Sequence, residues 1–140
     1  MMLKNDDLYN ELAFYTLAHP GPNFIHQHAV DAFTAQNADE STKAIAVVFA
    51  LAGLYLHLEK GYTGKQVQRA HMKMANRSKS WPKLPIPVDR GEVRVEDVLK
   101  AEPGPDRDAM IERWCESVWQ TWIGSRPTIE AIVREHLGVE

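Results

Sequence analysis

A chain of 140 residues has the usual size of one domain and is long enough to bury a real core. Its hydrophobic content of 44% and charged content of 25% are ordinary for a globular protein and argue against general disorder. A formal net charge of −3 argues against a dedicated nucleic-acid binder. We therefore predict a single domain over residues 1–140.

Cysteine usage and the N-terminal sequence point to a reducing compartment. Cys115 is the sole cysteine, so the chain forms no internal disulfide and cannot supply a zinc site made of cysteines. Residues 1–7 lack the apolar centre of a secretion signal. The longest apolar run, residues 44–58, is shorter than the about 20 residues that a bilayer requires. We expect a cytoplasmic protein with no membrane partner.

Apolar residues at helical spacing predict two helices before residue 40. The first begins at Asn5 or Asp6 and ends at Pro20, because proline cannot continue a helix. Pro22 suits the first turn of the second helix, which fades near Asn37. The apolar side of the first helix holds Leu8, Leu12 and Tyr15, with His19 at its end.

The third predicted helix is the most apolar part of the chain. It follows a cap at Asp39 or Ser41 and stops at Gly61. Because it is apolar on nearly every side, we expect neighbours all round and a central position. A buried His57 on this helix needs a partner, which a backbone carbonyl supplies as well as a ligand does. One side of the helix reads Ala46, Ala50, Gly53 and His57, so a neighbouring backbone can come close.

A basic stripe marks the fourth predicted helix, which Thr63 opens and which runs over about residues 64–79. Residues 61–88 contain no acidic residue, so the stripe invites an anionic partner. The alternative is a solvated surface whose positive end complements the helix dipole. The stripe consists of Lys65, Arg69, Lys73 and Arg77. The inward side of the helix holds Val67, Ala70, His71 and Met74.

Prolines and glycines divide the next part of the chain. Three prolines make residues 81–87 an extended crossing over the surface. Residues 92–95 alternate like a short strand or extended piece, and residues 96–101 predict a brief helix. Residues 88–105 are too few to form a core alone, so we interpret them as an excursion within the domain.

Two more helices complete the chain. One spans about residues 106–124, with Trp119 to one side of its inward stripe, and the last is capped by Ser125 or Arg126. The sequence thus predicts an all-α bundle of about five main helices around the central helix of residues 44–58. The inward stripe of the longer helix is Ile111, Trp114, Cys115, Val118 and Trp122.

The second helix carries the strongest candidate for a site. Phe24, His28, Asp31 and Ala35 share one face, whereas His26 lies about 200° round the helix from His28. A carboxylate at Asp31 can fix the tautomer of His28 and raise its basicity, which suits a metal ligand or a general base. The alternative is a hydrogen bond that merely satisfies two polar groups near the core.

Several distinctive motifs occur in order along the chain. They are His28-x-Val30-Asp31-Ala32-Phe33 with Gln36, Leu51-Ala52-Gly53-Leu54-Tyr55-Leu56-x-Leu58-Glu59-Lys60-Gly61, Trp81-Pro82, Val93-x-Val95-x-Asp97-Val98-Leu99 and Arg113-Trp114-x-Glu116-Ser117-Val118-Trp119-x-x-Trp122. Together they resemble a family of small bacterial all-helical proteins catalogued only as a domain of unknown function. The resemblance covers Leu17 to Val133 and implies a cytoplasmic bacterial setting but no activity. Members of that family can carry an N-terminal Cys-x-x-Cys and histidines after the Trp-x-x-Trp helix, and this chain has neither.

The first functional hypothesis is a non-enzymatic module that binds a small ligand, an anion or a partner protein. The ligand would occupy a cleft near His28, or an anion would bind the basic stripe at Lys65 to Arg77. A homodimer is left open should a tryptophan prove exposed. The predicted cleft residues are Tyr15, His28, Asp31, His57 and Trp119.

The second hypothesis is a metal-dependent enzyme, by analogy with small helical bundles in which three histidines hold a divalent metal. The candidate ligands are His28 and His57 with His19 or His71, and Asp31 would stand behind His28. The sequence contains no Gly-x-Ser-x-Gly elbow, no phosphate loop and no dinucleotide glycine motif. Whether the protein is an enzyme is left open at this point.

Overall fold

A computed structural model describes residues 5–18, 23–78 and 80–139, and this part of the chain is helical without any strand. The predicted all-α class is therefore confirmed. A 3-10 turn, Ile123–Ser125, joins the last two helices. The helices are α1 (Asn5–Leu17), α2 (Ile25–Asn37), α3 (Ala44–Lys60), α4 (Gly64–Arg77), α5 (Val95–Lys100), α6 (Pro105–Thr121) and α7 (Arg126–Leu137).

The central position of α3 is confirmed. Residues 50–56 of this helix are all buried, and α3 packs against α2, α4, α6 and α7. Its end is set by Gly61, whose φ of 72° is left-handed and whose N–H donates to the His57 carbonyl. A capping box then starts α4, since Thr63 accepts from the Gln66 N–H and the Gln66 side chain accepts from the Thr63 N–H.

The alternating stretch at residues 92–95 does not form a strand. Residues 92–94 are irregular, and Val95 is the first residue of α5. Side chains replace the partner strand: the Gln36 amide donates to the carbonyls of Arg90 and Val93, at 2.9 and 2.8 Å. The Ser117 hydroxyl accepts from the backbone N–H groups that follow Gly91. These side chains satisfy the backbone hydrogen-bonding groups of the segment without a neighbouring β-strand.

Helix ends differ from the prediction by a few residues. Helix α3 begins at Ala44 because residues 39–42 form a turn of their own, in which Asp39 accepts from Ser41. Helix α6 ends at Thr121 rather than near Gly124, and the 3-10 turn takes up the difference. The predicted end of α4 at Lys79 lies outside the described residues.

Helices α2 and α3 pack closely against each other. A Cβ on Gly53 would overlap the Asp31 Oδ2 atom and lie 2.7 Å from its Cγ. Asp31 thus faces Gly53, and His28 faces His57 one turn further along α3. Residue numbers rise on one helix as they fall on the other, so the two helices run antiparallel. The small-residue side predicted for α3 is the side that α2 covers.

Three indole N–H groups, two on α6 and one on its C-cap residue Trp122, bind α6 to its neighbours. All three of these tryptophans are buried, including Trp119, which the sequence placed to one side of the inward stripe. Trp81 is half-buried, so the described chain offers no exposed tryptophan to support a homodimer. The bonds run from Trp114 to the Gln36 Oε1 at 2.9 Å, from Trp119 to the Glu59 Oε2 at 3.0 Å and from Trp122 to the Ala35 carbonyl at 3.2 Å.

Within the described part of the chain, no helix combines the length and the apolar character needed to cross a membrane.

Replacing Gly53 with alanine tests the α2–α3 contact. Alanine raises helix propensity by about 1 kcal/mol. The added methyl group overlaps the buried Asp31 carboxyl, which must shift, and overpacking of this kind costs about 1–3 kcal/mol or more. We expect Gly53→Ala to lower the free energy of unfolding by about 2 kcal/mol, measured by urea denaturation.

The matched control is Gly124→Ala, because no atom lies within 4 Å of a Cβ built at Gly124. We expect this change to stay within about 0.5 kcal/mol of the parent protein. Equal effects at the two glycines would contradict the close contact between α2 and α3.

Candidate ligand-binding site

Two histidines from neighbouring helices stack against each other. The ring centroids of His28 on α2 and His57 on α3 are 3.6 Å apart, with 19° between the ring planes. His28 is only 4% exposed, so its imidazole points into the protein rather than into bulk water. The α2–α3 contact at Gly53, one turn away, sets this distance.

His57 is held by hydrogen bonds at both ring nitrogens. Its Nδ1 lies 2.8 Å from the Tyr62 carbonyl, and its Nε2 lies 2.6 Å from the Glu112 Oε2. A carbonyl and a carboxylate can only accept, so both nitrogens donate and the ring is an imidazolium. Burial alone lowers the pKa of His57, but the bonds to Glu112 and Tyr62 outweigh burial and raise that pKa overall. The Tyr62 carbonyl is the backbone partner that the sequence left as one alternative.

His28 has the opposite protonation state. The pKa of His28 is lowered to about 4, chiefly by burial and in addition by the positive charge of His57, while Glu112 offsets part of the shift. The ring is therefore neutral at pH 7. Its Nδ1 is buried and has no hydrogen-bond partner among the described residues. An unpaired buried polar atom costs about 1–3 kcal/mol, so this nitrogen is a standing cost to stability.

The two rings border a cavity of about 280 Å³. A tight backbone contact shapes its edge, because the Gly64 N–H donates to the Asn23 carbonyl at 2.6 Å. Phe24, next to it, has a φ of 38°, a left-handed conformation that is uncommon for a bulky residue. A Cβ on Gly64 would overlap the Phe24 carbonyl, so only glycine fits there. The lining residues are Asn23, Ile25, His28, His57, Gly61, Tyr62, Thr63 and Glu112.

The predicted pairing of His28 with Asp31 is not formed. Asp31 Oδ1 accepts from the Gln27 amide at 3.1 Å, and its Oδ2 has no partner among the described residues. The side chain turns toward Gly53, whereas His28 turns toward His57, because three residues along a helix leave a 60° difference in direction. Asp31 is 3% exposed, and this burial raises its pKa well above the ordinary value. Asp31 is therefore a buried neutral acid rather than a partner for the imidazole.

Two other predicted cleft residues lie in different places. The Tyr15 hydroxyl, on α1, donates to the Asp108 Oδ1 at 2.8 Å and accepts from the Gly104 N–H at 2.8 Å, so it anchors the start of α6. Trp119 donates to Glu59, which also accepts from Arg126 on α7. Neither residue lines the cavity of His28.

The described histidines do not converge as metal ligands. Nearly parallel rings cannot direct lone pairs from His28 and His57 at one ion, and both nitrogens of His57 already donate. The His71 Nε2 lies 2.7 Å from the Phe49 carbonyl. His19 lies outside the described residues. No group of three His, Cys, Asp or Glu side chains in the described ranges could hold a metal ion.

Two residues of the basic stripe on α4 contact other described parts of the protein, and two do not. The Lys65 ammonium lies 4.4 Å from the centre of the Phe24 ring, and the Arg77 guanidinium donates to the His136 carbonyl at 3.1 Å. Arg69 and Lys73, between them, have no hydrogen bond or salt bridge to any described residue. Both line a separate groove beside α7.

Glu112 is the site residue that sequence reasoning missed. It lies on α6 beside the buried Ile111, at the border between the inward and outward sides of that helix. Its partner, His57, is 55 residues earlier in the chain. The available signal was the charge itself: an acid at the edge of an apolar stripe can reach a buried histidine on the facing helix.

Comparison with known proteins gives one match. Residues 6–123 match a family model described as "Family of unknown function (DUF5946)". No curated protein and no solved structure shows significant similarity to this chain. His28, His57 and Glu112 all lie within the matched residues.

Neutralising Glu112 tests the charged state of His57. We expect Glu112→Gln to lower the pKa of His57, because the carboxylate is the group that most favours the imidazolium. NMR titration of the His57 ring protons measures this pKa directly. The pKa of His57 is higher in the folded protein than in the unfolded chain. The stability that this ion pair contributes is therefore fully present below the pKa of the unfolded chain and is lost as pH rises through the pKa of the folded protein.

Glu116→Gln is the control, since Glu116 acts on His57 only through its charge at longer range. We expect a smaller decrease in the pKa of His57. An unchanged pKa after Glu112→Gln would show that the ion pair is absent in solution.

Replacing Asp31 with asparagine tests the buried acid. The folded protein holds a proton on Asp31 that the unfolded chain releases above pH about 4. The stability of the parent protein therefore falls as pH rises, by at most about 1.4 kcal/mol per unit, until the folded pKa is passed. We expect Asp31→Asn to remove this contribution, so that the variant gains stability over the parent protein from pH 5 to pH 7 in urea denaturation. A difference that stays constant with pH would contradict a neutral Asp31.

Proposed function

We propose that this chain, which belongs to that family of unknown function, is a non-enzymatic module that binds a small neutral polar molecule in the cavity beside His28. One observation carries the proposal. His28 is buried, borders an open cavity and keeps a ring nitrogen without a partner. A ligand in the cavity that hydrogen-bonds to the imidazole of His28 gives this buried ring a polar partner.

The charge of the cavity supports a neutral ligand. The imidazolium of His57 and the carboxylate of Glu112 balance each other at 2.6 Å. His28 is neutral, because its pKa of about 4 lies far below pH 7. A charged ligand would leave one unbalanced charge in a half-buried site, which is unfavourable.

The size of the cavity supports a small ligand. Pockets for drug-sized molecules occupy about 300–1,000 Å³. The cavity measures about 280 Å³, slightly below that range. Ile25 gives it an apolar wall, and Thr63 and Asn23 contribute further polar groups at its edge. The lining therefore suits a compact molecule with both an apolar and a hydrogen-bonding part.

We infer a bacterial cytoplasmic setting for this module. Cys115 is fully buried, and burial raises the pKa of its thiol well above the ordinary value. A protonated, buried thiol is inert, which suits a chain that is not stabilised by disulfides.

Replacing His28 with phenylalanine separates binding from stability. The aromatic ring retains a stack on the His57 cation but carries no nitrogen, so the unpaired polar atom disappears. We expect the variant to be as stable as the parent protein or more stable by about 1 kcal/mol in urea denaturation. The gain is larger at pH 5 than at pH 7, since unfolding lets His28 take up a proton that burial excludes.

Binding is measured with benzamide as the probe, a compact neutral molecule with an amide and an apolar ring. We expect saturable changes in the backbone amide NMR shifts of residues 57–63 and 112 in the parent protein, and their loss in His28→Phe. His136→Phe is the control, because the His136 Nδ1 is also buried without a partner but does not line this cavity. Absence of saturable shifts, or equal loss in both variants, would refute the proposed site.

A further inference from the structure

A groove of about 240 Å³ lies between α4 and the end of α7, and it shares only Tyr62 with the lining of the cavity of His28. The polar residues on its α4 side are spaced three and four apart, so they share one face of the helix. Ala70 and Leu137 supply apolar surface. The lining residues are Tyr62, Gln66, Arg69, Ala70, Lys73 and Leu137.

The charged and amide side chains of the groove offer hydrogen-bond donors. Arg69 and Lys73 are cations with donors only. The Gln66 side-chain oxygen already accepts from the Thr63 N–H at 2.8 Å, which leaves its NH₂ group as the free part. Among the residues that the structure describes, no carboxylate lines the groove. This combination selects a ligand that carries acceptors and negative charge.

The charges of the groove are not used by the fold. Arg69 and Lys73 stand one turn apart on α4, where like charges oppose helix formation by about 0.2–0.5 kcal/mol. Neither forms a salt bridge or hydrogen bond with a described residue, whereas Lys65 and Arg77 at the two ends of the same stripe are engaged. Residues 61–88 contain six Lys or Arg and no Asp or Glu, so no acid on this segment neutralises the pair.

We propose that this groove binds a small organic anion, whose carboxylate or phosphate lies between Arg69 and Lys73 and whose apolar part lies on Ala70 and Leu137. The guanidinium binds the anionic group through paired N–H donors, and the ammonium adds a point charge. The Gln66 NH₂ group donates a further hydrogen bond. Two cations over a short, partly apolar groove of about 240 Å³ suit a small molecule better than the long phosphate backbone of a nucleic acid.

The experiment titrates the whole chain with benzoate and with phenyl phosphate and follows backbone amide NMR shifts. We expect saturable shifts at Gln66, Ala70 and Leu137, which weaken as salt is added because the attraction is electrostatic. Benzamide has the same ring without the charge and should leave these amides unchanged. The tighter of the two anionic probes identifies the preferred acidic group.

Paired variants give the sharpest comparison. Arg69→Gln with Lys73→Gln removes both unengaged cations, and we expect affinity for the anionic probes to fall about tenfold or more. Lys65→Gln with Arg77→Gln removes the same total charge from the same helix outside the groove. We expect the second pair to change affinity by less than about threefold. All four side chains are exposed, so the fold is retained.

Three outcomes would overturn the proposal. One is an equal loss of affinity in the two double variants, which would indicate general attraction to a positive surface. Another is a shift with benzamide at the same amides and of the same size as with benzoate. The last is the absence of any saturable shift with both anionic probes.

Discussion

The close packing of α2 on α3 is the contact on which the rest of the structure depends. Gly53 lets the two helices approach until Asp31 lies against the α3 backbone. At this separation the ring of His28 stacks on that of His57 one turn away. The same antiparallel contact directs the far end of α2 toward α6, where Gln36 accepts from Trp114 and donates to the loop before α5. One glycine thus fixes the geometry of both the core and the cavity.

The stacked histidines show how surroundings set protonation. Both rings are at least partly buried, and burial favours the neutral form of each. Only His57 has acceptors at both nitrogens, so it alone keeps a proton on each. Its positive charge then opposes protonation of His28. The result is one charged and one neutral imidazole in contact; the neutral ring borders the cavity and has a buried nitrogen without a partner among the described residues.

Local sequence rules predicted the helices well, because the signals lie within each segment. The apolar run of residues 44–58 identified the central helix. Gly61 marked the end of α3 and Thr63 marked the start of α4. Residues 92–95 were expected to form a short strand or an extended piece, and the strand does not form for a non-local reason. The groups that satisfy this segment belong to Gln36 and Ser117, far away in the sequence.

The site was predictable only in part. Small residues on one side of α3 correctly indicated a close neighbour, which proved to be the helix that carries His28. The spacing of His28 and Asp31 suggested a pair, but their side chains diverge and meet different residues of α3. Glu112 was missed because the choice of a partner for His57 among all the acids of the chain requires the packing of α6, which periodicity does not provide.

The three buried indoles of α6 and its C-cap, Trp122, also have a spectroscopic consequence. The Trp114 N–H donates to the Gln36 side chain on α2, the Trp119 N–H to the Glu59 side chain on α3, and the Trp122 N–H to the Ala35 carbonyl on α2. Detachment of α6 would therefore expose all three rings to water together. Indole emission depends strongly on hydration. The fluorescence of this protein therefore reports chiefly on the docking of a single helix, and the chain carries its own optical probe for that event.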